Sequence, residues 1–275
     1  MSDQKNYFLE TLHEDKLTQI IPSIVVDKNK YFESIKNAIL RDNNLLQYTY
    51  NKESCIKLVC QLEKLARVGL TIGGINPQAY IVGYNSKKYG LVLSTIPTAD
   101  GYKFIATTGK NAIFKNITLH EIHENDNKMF IDEGQGKFEN PQTIESLKNK
   151  GKIVGYVFDG VKQDGFRVLK YVSIEDIEFH KQFTKQDLSK PDAFWNKHYK
   201  RMCEKTAIKH VLRDFIYVCE GLANIEEIEE YEDHDKMSNK EKAEAIEVNG
   251  FEVLENEVKE NNSTEPENKN IGDII

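Results

Sequence analysis

Residues 190–215 read KPDAFWNKHYKRMCEKTAIKHVLRDF, and this stretch decides the fold because it has the pattern of one long, charged helix. Pro191 and Asp192 are typical of a helix start. Proline loses no needed N–H in the first turn, and aspartate accepts hydrogen bonds from free backbone amides there. Neither glycine nor proline follows before Gly221. The sequence therefore predicts an uninterrupted helix from Pro191 to Phe215.

Basic residues recur at every fourth position of this stretch. They are Lys197, Arg201, Lys205, Lys209 and Arg213. In an α-helix each such step rises about 6 Å and turns by about 40°, so the row climbs with a spacing close to that of phosphates along a nucleic-acid strand. After Asp192 only Glu204 and Asp214 interrupt the basic bias. Two interpretations stay open. The row is either an ordinary solvated helix face or a set of phosphate-binding residues. In the second case the whole row cannot face one groove, because it turns by about 160° along the helix.

The net charge of −7 is distributed unevenly. Residues 220–275 hold 18 acidic and 5 basic residues, a net charge of −13, which leaves +6 for residues 1–219. A basic body with an acidic tail suits a nucleic-acid-binding protein, and it also suits a neutral enzyme with a solubilising tail. No run of 18 apolar residues and no signal-peptide pattern occurs, so we expect a cytoplasmic protein that does not bind membranes.

The remaining pattern predicts an α+β fold. Helical periodicity covers residues 28–41, and a second helix begins near Asn51 and ends at Gly69. Ser173 opens a further short helix with a capping box. Strands rich in β-branched and aromatic residues are predicted at 79–84, 89–96, 113–122, 128–133, 152–158 and 167–173, with a short helix over 98–109. We therefore expect an antiparallel β-sheet and hairpin core packed with the long basic helix and the N-terminal helices, followed by a flexible acidic C-terminal region.

Composition divides the chain into four segments. Residues 1–27 form an N-terminal arm and residues 28–220 form the core. Residues 221–236 form an acidic linker that is too charged to fold into a core. Residues 237–275 hold a small C-terminal interaction module and a disordered tail.

Several short motifs follow one another in a fixed order between residues 31 and 216. They are Tyr31-Phe32, Ser54 to Leu65, Ala66-Arg67-Val68-Gly69-Leu70, Gln78-Ala79-Tyr80-Ile81-Val82, His123-Glu124-Asn125-Asp126, and Met202-Cys203-Glu204-Lys205-Thr206-Ala207-Ile208-Lys209. In this order the motifs resemble the RecT-type single-strand annealing proteins of phages and prophages, and the last block is similar to the family's Met-x-x-Lys-Thr-Ala-Ile-Arg signature. The sequence departs from the family where Gly83-Tyr84 replaces a Val-Pro-aromatic turn, where Asp100 adds an acid beside a presumed DNA groove, and where Phe215-Ile216 replaces Leu-Pro.

The resemblance implies a function and a set of partners. It implies a Rad52-like core that binds single-stranded DNA without ATP or another cofactor and anneals complementary strands in homologous recombination. The implied partners are single-stranded and annealed duplex DNA and further copies of the chain in a ring or helical filament. A phage 5′→3′ exonuclease and the host single-strand-binding protein are also implied, the latter through the C-terminal region.

Annealing requires that cations hold the DNA backbone while the bases stay available for pairing. Our DNA-binding candidates are Arg67, Lys87, Lys88, Tyr102, Lys103, Lys110, Lys197, Arg201, Lys205, Lys209 and Arg213, with Tyr84 and Phe104 as further base contacts. For each aromatic residue, core packing is the competing role.

Two alternatives stay open beside strand annealing. One is a passive single-strand DNA-binding protein. The other is a metal-dependent nuclease that uses His120, Glu121, His123 and Asp126. On a strand His120 and His123 face opposite sides, unlike the helical HExxH arrangement. This strand geometry is why nuclease activity is not expected. Residues 107–110 end in Gly-Lys but lack the leading glycine of a P-loop, so ATPase activity is not expected either. The four cysteines show no CxxC pairing and are expected to be reduced core thiols.

Overall fold

The computed structural model describes residues 5–25, 27–73, 76–86, 90–109, 111–126, 128–184, 188–189, 191 and 193–225. The chain divides into two units, residues 1–232 and 233–275. The second unit, most of the predicted acidic linker and the predicted C-terminal module lie outside the described residues. Within the described ranges, no helix combines the length and the apolar character needed to cross a membrane.

The N-terminal part is helical. It contains α1 (Phe8–Thr11), α2 (Glu14–Ile20), α3 (Lys28–Leu40), α4 (Asn43–Leu46), a 3-10 turn (Gln47–Tyr50) and α5 (Lys52–Arg67). Asp27 caps α3 by accepting from the Lys30 amide, and Asn51 caps α5 by accepting from the Ser54 amide. The predicted helices over 28–41 and 51–69 are confirmed. The arm packs on the core, because Phe8 and Leu17 are fully buried.

Antiparallel strands follow, and they form two hairpins and one three-stranded sheet. The first pair, β1 (Ala79–Ser86) and β2 (Gly90–Pro97), forms a hairpin that leads into α6 (Ala99–Thr107). A three-stranded sheet has the order β3–β6–β7, with β3 at Phe114–His123, β6 at Ile153–Lys162 and β7 at Arg167–Ser173. Between β3 and β6 the chain adds the hairpin of β4 (Phe130–Asp132) and β5 (Lys137–Glu139), and α7 (Ile144–Lys148). These elements confirm the α+β class.

The two faces of the three-stranded sheet serve different cores. Successive side chains of a strand point to opposite faces. Tyr156 and Phe158 of β6 therefore join the main core, whereas Val157 between them packs with Ile122 and Leu169 in a second cluster. The partly buried Phe138 of β5 packs against this second cluster. The main-core face of the sheet is the one that supports the helices described next.

The predicted helix from Pro191 to Phe215 is wrong as one element. After α8 (Ile174–Lys181), whose Ser173 capping box is confirmed, the chain forms α9 (Phe194–Lys197), α10 (Tyr199–Leu212) and a 3-10 turn (Arg213–Val218). The backbone leaves helical geometry at His198, where φ is −130° and ψ is 37°. No glycine or proline causes this break. Trp195 is only 4% exposed, so tertiary packing of the α9 aromatic residues overrides local helix propensity.

Helix α10 packs on α6, α8 and the sheet. Its buried face carries Cys203, Ala207, Ile208, Val211 and Leu212. Beyond the 3-10 turn, residues 220–225 are helical, and a Cβ on Gly221 would come within 2.6 Å of the Ile105 side chain in α6. Charged residues of α10, among them Lys200 and Arg201, lie outside this buried face and are exposed.

Two glycines allow close contacts around the β1–β2 hairpin. Gly83-Tyr84 stands where the family has a Val-Pro-aromatic turn. A Cβ at position 83 would lie 2.5 Å from the Tyr48 ring, so this fold requires glycine there. A Cβ on Gly101, in the first turn of α6, would overlap the backbone carbonyl oxygen of Gln78. Both positions thus exclude larger residues by contact with neighbouring elements.

We expect Gly101→Ala to lower the free energy of unfolding by about 1–3 kcal/mol, because the methyl group meets rigid backbone. Helix propensity alone predicts the opposite sign, a gain of about 0.5–1 kcal/mol. Gly134→Ala is the matched control, since a Cβ there meets only a carboxylate oxygen of Asp132 at 3.5 Å. Urea denaturation measures both variants, and a stabilised Gly101→Ala protein would contradict the steric argument.

Candidate functional site

A groove of about 570 Å³ opens where the β1–β2 hairpin, the start of α6, strand β3 and helices α9 and α10 meet. Four cationic side chains line it, and three carboxylates lie among them. The cations are Lys103, Lys200, Arg201 and Lys205, and the carboxylates are Asp100, Glu121 and Glu204. A second cleft, of about 580 Å³, is lined by two charged residues, Arg67 and Glu220, so we take the more charged groove as the candidate site.

The α6 wall of the groove is fixed by its helix cap. The Thr98 hydroxyl accepts a hydrogen bond from the Gly101 amide at 3.1 Å and donates one to the Pro77 carbonyl at 2.9 Å. This double contact ties the start of α6 to the segment that precedes β1. The first turn of α6 therefore presents Asp100 and Lys103 to the groove, and their charged atoms lie 3.9 Å apart.

The α10 wall begins directly after the break at His198. Lys200 and Arg201 come from its first turn and Lys205 from its second. Lys200 Nζ lies 2.5 Å from Glu121 Oε1 on β3. Arg201 Nη1 lies 3.4 Å from the Tyr80 hydroxyl on β1, so the two contacts reach different strands.

Aromatic rings lie beside these cations. The Tyr80 and Phe194 ring centroids are 6.1 Å apart with an interplanar angle of 54°, and the His198 ring lies 5.5 Å from that of Phe194. Tyr80 and Phe194 are half-buried, so part of each ring faces the groove. Partly exposed rings next to an arginine provide surfaces on which planar groups can stack.

The charges in the groove influence one another. Burial raises the pKa of Glu204; nearby Lys200 opposes this shift, Glu121 adds to it, and Lys103 and Arg201 oppose it. The pKa of Lys200 is raised chiefly by its hydrogen bond to Glu121. A carboxylate with a raised pKa loses its negative charge at a higher pH than usual. The groove becomes more positive as the pH falls.

The structure brings together three of the predicted DNA-binding residues, Lys103, Arg201 and Lys205. Arg67 lines a separate cleft of about 580 Å³. Lys209 on α10 and Arg213 in the 3-10 turn do not line the groove. Both contribute to lowering the pKa of His180 on α8, after the larger effects of burial and of His210.

Other predicted residues do not line the groove. Tyr102 is only 2% exposed and packs in the core, which corrects its assignment as a base contact. Lys197 is exposed at the end of α9, and Phe104 lines the same cleft as Arg67. Predicted residues outside the described side chains are Lys87, Lys88, Lys110 and Tyr84.

Sequence reasoning missed several residues of the groove. They are Tyr80, Phe194, His198 and Lys200. The search for basic residues at every fourth position passed over Lys200, which neighbours Arg201 in the chain. The break at His198, which has no local sequence signal, sets where Phe194 and Lys200 lie relative to each other.

The residues considered for a nuclease are divided between two places. His120 Nε2 lies 3.4 Å from Asp159, whereas the His123 ring lies between Glu121 and Asp126, at 3.8 Å from each. Glu121 also pairs with Lys200 and lines the groove. Asp126 accepts hydrogen bonds from the His123 amide and from the side-chain amides of two further residues, Asn140 and Gln142. Across the part of the chain that the structure describes, no group of three or more His, Cys, Asp or Glu residues is placed to hold a metal ion.

Lysine and arginine side chains set beside partly exposed aromatic rings are the arrangement of proteins that bind single-stranded nucleic acid. The sequence model of the RecT family matches residues 31–245, which include every charged residue of the groove. The chain belongs to the RecT family, the phage-type proteins that bind single-stranded DNA and anneal strands in recombination. A comparison with curated protein sequences finds no match.

The electrostatic coupling can be measured through Glu204. We expect Lys200→Gln to raise the pKa of Glu204, because a cation that favours the carboxylate is removed, and Glu121→Gln to lower it, because a repelling charge is removed. Carbon NMR of glutamate side-chain carboxyl groups, followed against pH, reports these shifts. Lys209→Gln is the control and leaves the Glu204 pKa unchanged. Shifts of the same sign in the first two variants would contradict the coupling.

Proposed function

We propose that the chain is an ATP-independent single-stranded DNA-binding and annealing protein that pairs complementary strands in homologous recombination. The observation that carries this proposal is the groove, in which Lys103, Lys200, Arg201 and Lys205 stand on two walls beside the Tyr80–Phe194 ring pair. Membership of the RecT family supports it.

The two kinds of side chain have different tasks in this proposal. The cations attract phosphates, and this attraction weakens with salt because binding releases counterions from DNA. Phosphate contacts carry no sequence information, so one groove can accept any sequence. The rings of Tyr80 and Phe194 stack on bases, which fixes the strand without consuming the hydrogen-bonding edges that the complementary strand needs.

The basic row of α10 contributes to the groove only through Arg201 and Lys205. Lys209 and Arg213, which do not line the groove, are proposed to contact a neighbouring copy of the chain or the second strand. We propose that such contacts between copies assemble the protein into a ring or helical filament.

A phage 5′→3′ exonuclease and the host single-strand-binding protein are proposed partners, the latter through the C-terminal region. The proposed site of action is the bacterial cytoplasm.

A fluorescence assay with two complementary oligonucleotides, run without ATP and with a chelator present, tests the function. We expect duplex formation faster than the spontaneous rate, because the protein holds strands with their bases available. A passive single-strand DNA-binding protein would coat the strands without accelerating pairing. A rate equal to the spontaneous one would contradict annealing, and strand cleavage that the chelator abolishes would favour the nuclease alternative.

The role of the groove is tested by Arg201→Ala and Lys205→Ala. Each variant is expected to weaken binding to oligonucleotides of different sequence to a similar degree and to reduce the salt slope of the affinity by about 1, because one phosphate contact is lost. Lys170→Ala is the matched control, since Lys170 pairs with Glu133 and does not line the groove. Fluorescence anisotropy at several salt concentrations gives the slopes, and an unchanged slope in both groove variants would remove them from the DNA contact.

A further inference from the structure

Two of the cations that DNA phosphates would contact already form ion pairs with carboxylates of the groove. Glu121 Oε1 lies 2.5 Å from Lys200 Nζ on the α10 wall, and Asp100 Oδ1 lies 3.9 Å from Lys103 Nζ on the α6 wall. Arg201, which also lines the groove, forms no ion pair with a carboxylate among the residues that the structure describes, and it donates a hydrogen bond to the Tyr80 hydroxyl. The cations of the groove are therefore not equally available to an incoming phosphate.

The Glu121–Lys200 pair is open to exchange. The side chains are 29% and 57% exposed, and ion pairs at this exposure contribute little to stability. A phosphate oxygen offers Lys200 the same kind of charge-assisted hydrogen bond that the carboxylate gives it. A phosphate can thus replace Glu121 at Lys200 without disturbing the fold.

The exchange leaves an unfavourable arrangement behind. Glu121 lies on the edge strand β3, where pairing with Tyr156 of β6 holds its backbone in place. Lys200, by contrast, has a long flexible side chain and is exposed on α10. When Lys200 turns to a phosphate, Glu121 loses its lysine partner and keeps only the weaker contact with His123 Nε2, at 3.8 Å, while it remains near Glu204 and the bound strand. The negative charge of Glu121 then repels the phosphates of the bound strand, and this repulsion reduces the DNA affinity that the four cations of the groove would otherwise give.

We propose that Glu121 acts as an internal competitor for the DNA phosphate: it occupies Lys200 in the empty groove and limits how tightly a strand is held. This inference rests on the proposed function, because it assumes that the groove binds single-stranded DNA. Glu121 is a positioning residue that acts through Lys200 and does not contact bases. Limited affinity suits annealing, in which a strand has to move from the protein into a duplex.

Asp100 has the same relation to Lys103 with a longer separation. The 3.9 Å distance and the 60% exposure of Asp100 make this pair weaker than the Glu121 pair. Removing the Asp100 charge is therefore expected to increase DNA affinity, but by less than removing the Glu121 charge. The family departure that places an acid at position 100 thereby adds a second, weaker competitor on the opposite wall.

A double-mutant cycle on the full chain tests the proposal. Fluorescence anisotropy with a labelled oligothymidine measures affinity at low salt for the wild type, Glu121→Gln, Lys200→Gln and the double variant. We expect Glu121→Gln to bind about three- to tenfold more tightly. We expect Lys200→Gln to weaken binding more in the Glu121→Gln background than in the wild type, because only there is Lys200 fully available to DNA.

Glu10→Gln is the charge-matched control. Glu10 pairs with Lys5 at 2.8 Å, both side chains are exposed, and neither lines the groove. We expect its affinity to change less than about twofold, since removing a remote exposed charge is screened by salt. Binding by Glu121→Gln that is no tighter than by Glu10→Gln, or an additive cycle, overturns the proposal. If Glu121→Gln does not fold, Asp100→Asn carries the test, and unchanged or weaker binding by it is the overturning result.

Arg201→Ala, measured in the same assay, separates this inference from the proposed function. Weaker binding by Arg201→Ala together with no gain in Glu121→Gln overturns the competitor role alone. Binding unaffected by Arg201→Ala shows that the strand does not use the groove, and it overturns both proposals.

Discussion

The packing of α10 on α6 is the constraint on which the candidate site depends. Ala106 of α6 and Ala207 of α10 are both fully buried, and small side chains let two helices approach closely. The same two helices carry the cations of the groove on their remaining faces, Lys103 on one and Lys200, Arg201 and Lys205 on the other. The width of the groove is therefore set by core packing, and a change in the core would alter the site without touching a charged residue.

The groove is distinguished by the placement of its charges and not by an excess of one sign. Its four lysine and arginine side chains are opposed by three carboxylates, so its net charge is small. At distances of a few ångströms the arrangement of charges matters more than their sum, because water screens the interaction steeply with distance. In the proposed function, a strand in such a groove is attracted locally and remains exchangeable, as transfer into a duplex demands.

The sequence predicted elements whose signals are local. The strand over 167–173 has the bounds of β7, and the Ser173 capping box opens α8, because cap and alternation patterns involve residues a few positions apart. The break at His198 could not be predicted, since no glycine or proline stands there and burial of Trp195 against distant elements decides it. The three-residue strands β4 and β5 carry too few residues for a clear alternation, so only one strand was predicted in that region.

The site was less predictable than the fold because its residues converge from distant parts of the chain. Arg201 and Tyr80 are 121 positions apart, and no local pattern joins them. Of the five basic residues predicted to form one row, only Arg201, Lys205 and Lys209 lie on α10, and only the first two line the groove. A helix turns about 40° per four-residue step, so successive members point in increasingly different directions. Glu121 shows the limit most clearly. By sequence it stands close to two histidines and suggests a metal ligand. In the fold one of its oxygens lies 3.8 Å from His123, but the other pairs with Lys200 at 2.5 Å, and a carboxylate acquires its role from the group that it binds most closely.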